Sequence, residues 1–116
     1  MPPRDYVRYL DYDGYPIRIR VEFETDRRGQ VIRFTVQLEI EIAEMWLPVV
    51  RFDTEHNEAH IDLLDPDGRE YDKQWLGIHL QYNATLTRAT DELSENYGRH
   101  VRRFLEQKRR TSDRDR

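Results

Sequence analysis

The stretch Ile17-Arg18-Ile19-Arg20-Val21-Glu22-Phe23-Glu24-Thr25-Asp26-Arg27-Arg28-Gly29-Gln30-Val31-Ile32-Arg33-Phe34-Thr35-Val36-Gln37-Leu38-Glu39-Ile40-Glu41-Ile42 decides how this chain folds. Ile17, Ile19, Val21 and Phe23 occupy alternate positions with Arg18, Arg20 and Glu22 between them, the two-residue period of a strand with one dry and one wet face. The second run alternates for longer, with Ile32, Phe34, Val36, Leu38, Ile40 and Ile42 against Arg33, Thr35, Gln37, Glu39 and Glu41. Between the runs, Asp26 favours starting a turn and Gly29 can take the positive φ that closes a short hairpin loop. Pairing Thr25 with Gln30 predicts Phe23 beside Ile32, Val21 beside Phe34 and Ile19 beside Val36 on the dry face, with Glu22 beside Arg33 on the wet one.

Working outward, a shorter strand from about Tyr6 to Tyr12 precedes the hairpin, and Asp13-Gly14 is a tight-turn signal between them. After Ile42 the Glu44-Met45 region turns the chain into a strand from Trp46 to Asp53. Its register is ambiguous, because Leu47 and Val49 are as apolar as Pro48, Val50 and Phe52; Val50 and Phe52 inward with Arg51 and Asp53 outward is favoured, since charges facing the core without partners are costly. Residues 59–64 read as a further strand, with Ala59, Ile61 and Leu63 on one face and His60 and Asp62 on the other, followed by the turn Asp65-Pro66-Asp67-Gly68. Residues 73–80, carrying Trp75, read as an edge strand or an irregular connection.

From Asn83 onward the period changes. Leu86, Ala89, Leu93, Tyr97, Val101, Phe104 and Leu105 recur at spacings of three and four, which predicts an amphipathic helix with Asn83 as its N-cap. A helix of roughly 26 residues spans about 39 Å, and nothing else in the chain can cover the dry face of the sheet. The expectation is a single α+β domain over residues 1–116, with residues 1–4 and 111–116 as frayed tails: an antiparallel meander sheet of about five strands with one long C-terminal helix packed on one face.

Composition narrows the chemistry. The chain of 116 residues has no cysteine, which removes disulfides, thiolate metal sites and a cysteine nucleophile together. No run of about 18 apolar residues occurs, so no membrane partner is expected and a soluble, cytoplasmic protein is the default. The net charge of −4 is uneven: residues 39–72 are dominated by Asp and Glu, with Arg51 and Arg69 as basic exceptions, while Arg99, Arg102, Arg103, Lys108, Arg109 and Arg110 crowd the end. Such a basic end could face a phosphate backbone, although cations in the last turns of a helix are already accounted for by its negative pole.

Chemistry concentrates in Arg51-Phe52-Asp53-Thr54-Glu55-His56-Asn57-Glu58-Ala59-His60-Ile61-Asp62, a strand-loop-strand connection holding two of the four histidines. Three readings compete. His56 and His60 with Asp53 or Asp62 make a mixed nitrogen and oxygen donor set for a metal, but their spacing crosses a loop rather than sharing a helix face. Alternatively the two imidazoles exchange protons with a substrate while Arg51 holds a phosphate, which suits cleavage of RNA through its own 2′-hydroxyl. In the third reading the cluster is structural, with Asp53 capping the loop and Asn57 in a left-handed turn. The remaining histidines, His79 and His100, read as solvated residues.

Val49-Val50-Arg51-Phe52-Asp53, then His56, then His60-Ile61-Asp62 and Asp65-Pro66-Asp67-Gly68, resemble a family of small uncharacterised prokaryotic proteins of about this length. More distantly they resemble the TumE-type toxins of two-gene toxin–antitoxin systems, in which a hydrophobic-Arg-Tyr-Asp segment leads into a His-Gly and a later His-x-His. That likeness implies His56 and His60 as the acid–base pair, Asp53 as the group that orients them, Arg51 as substrate anchor, RNA as substrate and a helix-turn-helix antitoxin as partner, with no metal or cofactor. Asn57 stands where the pattern has glycine and Asp62 where it has its last histidine. The expectation from a different class is a non-catalytic interaction module whose exposed sheet face or edge strand makes a homodimer or binds a second protein.

Overall fold

A computed structural model describes residues 4–54, 58–77 and 81–114 of the chain. Six strands, β1 (Arg4–Tyr12), β2 (Tyr15–Thr25), β3 (Val31–Ile42), β4 (Met45–Asp53), β5 (Ala59–Leu64) and β6 (Glu70–Gly77), precede one helix, α1 (Tyr82–Arg114). The strands form a single antiparallel sheet in sequence order, and α1 packs on one face. The α+β meander is therefore as the alternation requires, with six strands rather than about five. The additional strand is the edge segment β6, which begins at Glu70 rather than Lys73.

Period-two placement holds along β2, along β3 from Phe34 to Ile40 and at Val50 and Phe52 of β4, but not in β5, where His60 and Asp62 are buried and Ile61 and Leu63 are half-buried. Ile17, Ile19, Val21, Phe34, Val36, Leu38, Ile40, Val50 and Phe52 are buried together beneath Ala89, Leu93, Val101 and Phe104 of α1. Arg51 and Asp53 face the other way, on the side away from the helix, as the cost of unpaired core charge demands. The hairpin register differs from expectation by two residues: Phe23 lies opposite Phe34, Val21 opposite Val36, and Glu24 rather than Glu22 opposite Arg33, with which it forms the ion pair. The cause is the loop. One Asp26 carboxylate oxygen accepts the amides of Arg28 at 2.8 Å and Gln30 at 3.0 Å, and Gly29 adopts φ +80°, giving a wider loop with a bulge at Glu24/Thr25. Asp65 and Gly68 repeat the device between β5 and β6, where one Asp65 carboxylate oxygen takes the amides of Asp67 and Arg69 at 2.9 Å each. A two-residue shift preserves the faces and changes only the partners.

The β3–β4 turn is closed by Ala43 at φ +53° and Glu44 at φ +65°, left-handed conformations that neither residue favours. Replacing Ala43-Glu44 by Asn-Gly, the pair suited to a two-residue hairpin, is expected to raise stability by about 1 kcal/mol, read from the midpoint of a urea transition.

Helix α1 is longer than its apolar period suggested, 33 residues, and is kinked at Asn96, where φ is −121° and ψ 17°. Asn83 is not its N-cap but lies inside the first turn. Its side-chain oxygen accepts the Val31 amide at 2.8 Å, so it fastens α1 to the start of β3 instead. Gly98 lies where the helix passes over Tyr12: an added Cβ would stand 3.3 Å from the ring. Beyond the kink, Arg103 reaches into the sheet and donates to the carbonyls of Leu64 and Val49, with its guanidinium 5.1 Å from the centre of the Tyr71 ring. Val49 is the extra residue where Leu38 pairs Val50 and Glu39 pairs Pro48, so its carbonyl has no regular ladder position and Arg103 satisfies it. Among the described residues no helix is long and apolar enough to cross a membrane.

Candidate functional site

Antiparallel pairing lines up side chains in rows across the face that α1 leaves open. Arg20, Gln37, Arg51, Asp62 and Lys73 are successive cross-strand partners on β2 to β6, and Glu22, Thr35, Asp53 and His60 form the adjacent row. Three of the four sequence-predicted site residues are thus neighbours: Asp53 lies directly opposite His60, and Arg51 is one row away opposite Asp62. His56, the fourth, lies outside the described residues, as does His79.

This face is polar but not uniformly wet. Glu39, at 4% exposure, is enclosed by the Arg18 guanidinium, by Arg20 at 3.6 Å and by the Gln37 amide, all attached to its carboxylate. Trp46 reaches back over Arg18, whose guanidinium carbon is 4.2 Å from the ring centre, and meets Tyr9 at 6.4 Å. A guanidinium held over the indole ring, together with three donors on one carboxylate, explains how so charged a cluster is tolerated.

His60 is fully enclosed, at 0% exposure, although its strand position pointed it to the wet side. Its Nδ1 is 3.1 Å from the Glu58 carbonyl oxygen, which calls for a proton on that nitrogen, and its Nε2 faces Asp62 Oδ2 at 3.4 Å. The other oxygen of Asp62 is 3.6 Å from the Lys73 ammonium, which also approaches Glu70 at 3.6 Å. The Asp62 carboxylate is therefore turned to His60 and Lys73 and away from its cross-strand partner Arg51. Arg51, half-buried, donates through Nε to Gln37 Oε1 at 2.7 Å, and among the described residues no carboxylate pairs with it. A guanidinium steadied by a neutral amide at one edge keeps its remaining N–H groups for an incoming anion. Gln37 and Lys73 carried no signal in the sequence, because their roles depend on strand register.

Among the described residues no group of three or more His, Asp or Glu side chains is arranged to hold a metal.

The opposite face has its own cavity of about 660 Å³, between the flank of α1 and the uncovered part of β5, with Phe52, Ile61 and Leu63 as apolar floor and Arg88, Glu92 and His100 at the rim. His100 is half-buried here rather than solvated, with Nε2 3.4 Å from Glu92. Burial lowers its pKa below 6.5 and the charges of Arg99 and Arg103 lower it further, against the raising effect of the Glu92 hydrogen bond and charge. The folded protein thus binds a proton at His100 less readily than the unfolded chain. Stability contributed by the neutral ring is present above pH ~6.5 and is lost as pH falls through the folded pKa. Urea unfolding between pH 7.5 and 5 should show this decline, and His100→Gln should flatten that part of the profile.

A family model described as a domain of unknown function (DUF7718) matches residues 1–110. No curated protein and no solved structure matches the chain.

Proposed function

We propose that this chain, which belongs to the DUF7718 family, acts on single-stranded RNA at its open sheet face, by the 2′-hydroxyl route that the TumE-type toxins imply. The observation that carries the reading is Arg51: a half-buried guanidinium, held by Gln37 and paired with no carboxylate among the described residues, beside the Asp53–His60 and Asp62 cluster. Phosphate is the anion that a planar two-pronged donor of this kind recognises best. The Arg18–Trp46–Tyr9 stack at the other end of the face offers aromatic surface to bases, and the combination of cations and aromatic rings is the usual makeup of a single-strand platform.

In the proposed reaction the 2′-oxygen attacks phosphorus and the bond to the 5′-oxygen breaks, leaving a 2′,3′-cyclic phosphate and a 5′-hydroxyl. One of His56 and His60 takes the proton of the 2′-hydroxyl and the other supplies one to the departing oxygen, while Arg51 neutralises the charge that builds on the phosphoryl oxygens and Asp53 is the orienting carboxylate. His60, being enclosed, communicates with the face through Asp62. A small helix-turn-helix antitoxin is the partner that this reading implies.

The test uses the purified chain and an end-labelled RNA oligonucleotide beside the same sequence with 2′-deoxyribose throughout. Cleavage of the RNA alone, to a cyclic-phosphate end, is the expected result. Equal cleavage of both strands, or none of either, overturns the reading.

A further inference from the structure

Half of the large apolar side chains that stand exposed among the described residues lie on one strand: Tyr6 at 49%, Val7 at 42% and Tyr9 at 67%, against Ile32, Met45 and Tyr71 elsewhere. That strand, β1, is an edge of the sheet and runs for nine residues with no shift in its pairing to β2. The opposite edge, β6, is broken by bulges at both ends of its ladder. A long, unbulged edge with exposed apolar side chains is a template for pairing with another strand.

The geometry points to a second copy of this chain as the occupant: we infer that two copies join β1 to β1, antiparallel, about a twofold axis through Val7, making one continuous twelve-stranded sheet. Backbone polarity comes first. Asp13 and Gly14, at φ +50° and +86°, form a two-residue turn closed by Tyr12 and Tyr15, which fixes that closing pair as a hydrogen-bonded one. Even-numbered residues of β1 therefore spend their N–H and C=O groups on β2, and odd-numbered ones direct theirs outward. The carbonyl of Asp11 conforms, since it accepts the Tyr97 hydroxyl at 3.1 Å from outside the ladder. Asp5, Val7 and Tyr9 are left with outward groups for a partner strand.

Charge then selects the register. A twofold axis normal to the sheet keeps each face continuous, so only three centres bring these residues into register. Centring on Arg8 sets Arg8 against Arg8 and Asp5 against Asp11, and centring on Tyr6 sets Arg4 against Arg8; like charges directly opposite are unfavourable. Centring on Val7 opposes Val7 to Val7, Asp5 to Tyr9 and Tyr6 to Arg8, with no like pair, and brings all three exposed apolar side chains to the seam. It also makes the Val7 pair the hydrogen-bonded pair that its outward groups require. The two open polar faces then lie on the same side of the joined sheet, which doubles the length of any surface they offer.

The chain has no cysteine, so a single introduced thiol reports on this contact alone. In the proposed register the two residues 7 are about 5.5 Å apart at Cα, inside the range a disulfide spans, while the two residues 8 are about 8 Å apart, outside it. Under mild oxidation Val7→Cys is expected to convert to a covalent dimer and Arg8→Cys is expected to remain a monomer. In sedimentation equilibrium the wild-type chain is expected to show twice the monomer mass, and Val7→Lys, which opposes two ammonium groups at the axis of an exposed position, to show the monomer mass with the same circular dichroism. A wild-type chain that is monomeric up to millimolar concentration overturns the inference, and so does cross-linking through residue 8 in preference to residue 7.

Discussion

Arg51→Ala is expected to reduce cleavage of a single-stranded RNA oligonucleotide by roughly 100-fold or more, the loss typical of removing one preorganised donor to a developing anion. The effect on folding should be small by comparison. Among the described residues Arg51 makes one hydrogen bond, to Gln37, on a half-buried part of the open face, so the stability lost is about 1 kcal/mol. Arg51→Lys separates charge from geometry: lysine keeps the positive charge but lacks the planar pair of donors and the Nε–H that Gln37 holds. Most of the loss should therefore remain in the lysine variant. Steady-state cleavage beside urea unfolding of the same preparations checks both statements, and full activity in Arg51→Ala would remove Arg51 from the site.

The largest expected effect on stability is that of Phe104→Ala. Phe104 is wholly enclosed, with Leu93 and Val101 of the same helix, over the buried residues of β2, β3 and β4. Truncating a buried phenylalanine costs roughly 3–5 kcal/mol, from lost transfer energy and from the cavity left behind. Against a total of about 5–15 kcal/mol for a domain of ordinary stability this is a large fraction. The urea midpoint should fall accordingly with an unchanged slope, because the surface exposed on unfolding hardly alters. A change below about 1 kcal/mol would mean that α1 does not seal the sheet as described.

These two residues also show what the sequence reveals and what it hides. Spacing alone places Phe104 in the core, because a stripe at intervals of three and four has one face to bury, and the sheet strands are legible for the same reason at period two. Arg51 falls on the open face because its neighbours Val50 and Phe52 claim the other. Register resisted the same treatment: the Asp26 carboxylate collects two loop amides, and that choice of loop slides the pairing by two residues without disturbing any apolar position. Long-range bonds were equally silent. Asn83 serves Val31 from 52 residues away and Arg103 serves Val49 from 54, and no local pattern distinguishes either from a helix cap or a terminal cation. Within the site, the row holding Arg51, Asp62 and Lys73 exists only once β5 and β6 are paired. His60 is enclosed on the side of β5 where alternation alone promised exposure.

The most direct test of the account is the side-chain Nε–Hε resonance of Arg51, followed by nitrogen-correlated NMR as a short single-stranded RNA is added to the wild-type protein. This resonance is expected to shift in a saturable way together with those of Arg18 and Arg20, while the signals of residues around the α1 cavity stay in place. An Arg51 resonance that does not move when the RNA binds, or RNA binding that moves only signals elsewhere, would contradict it.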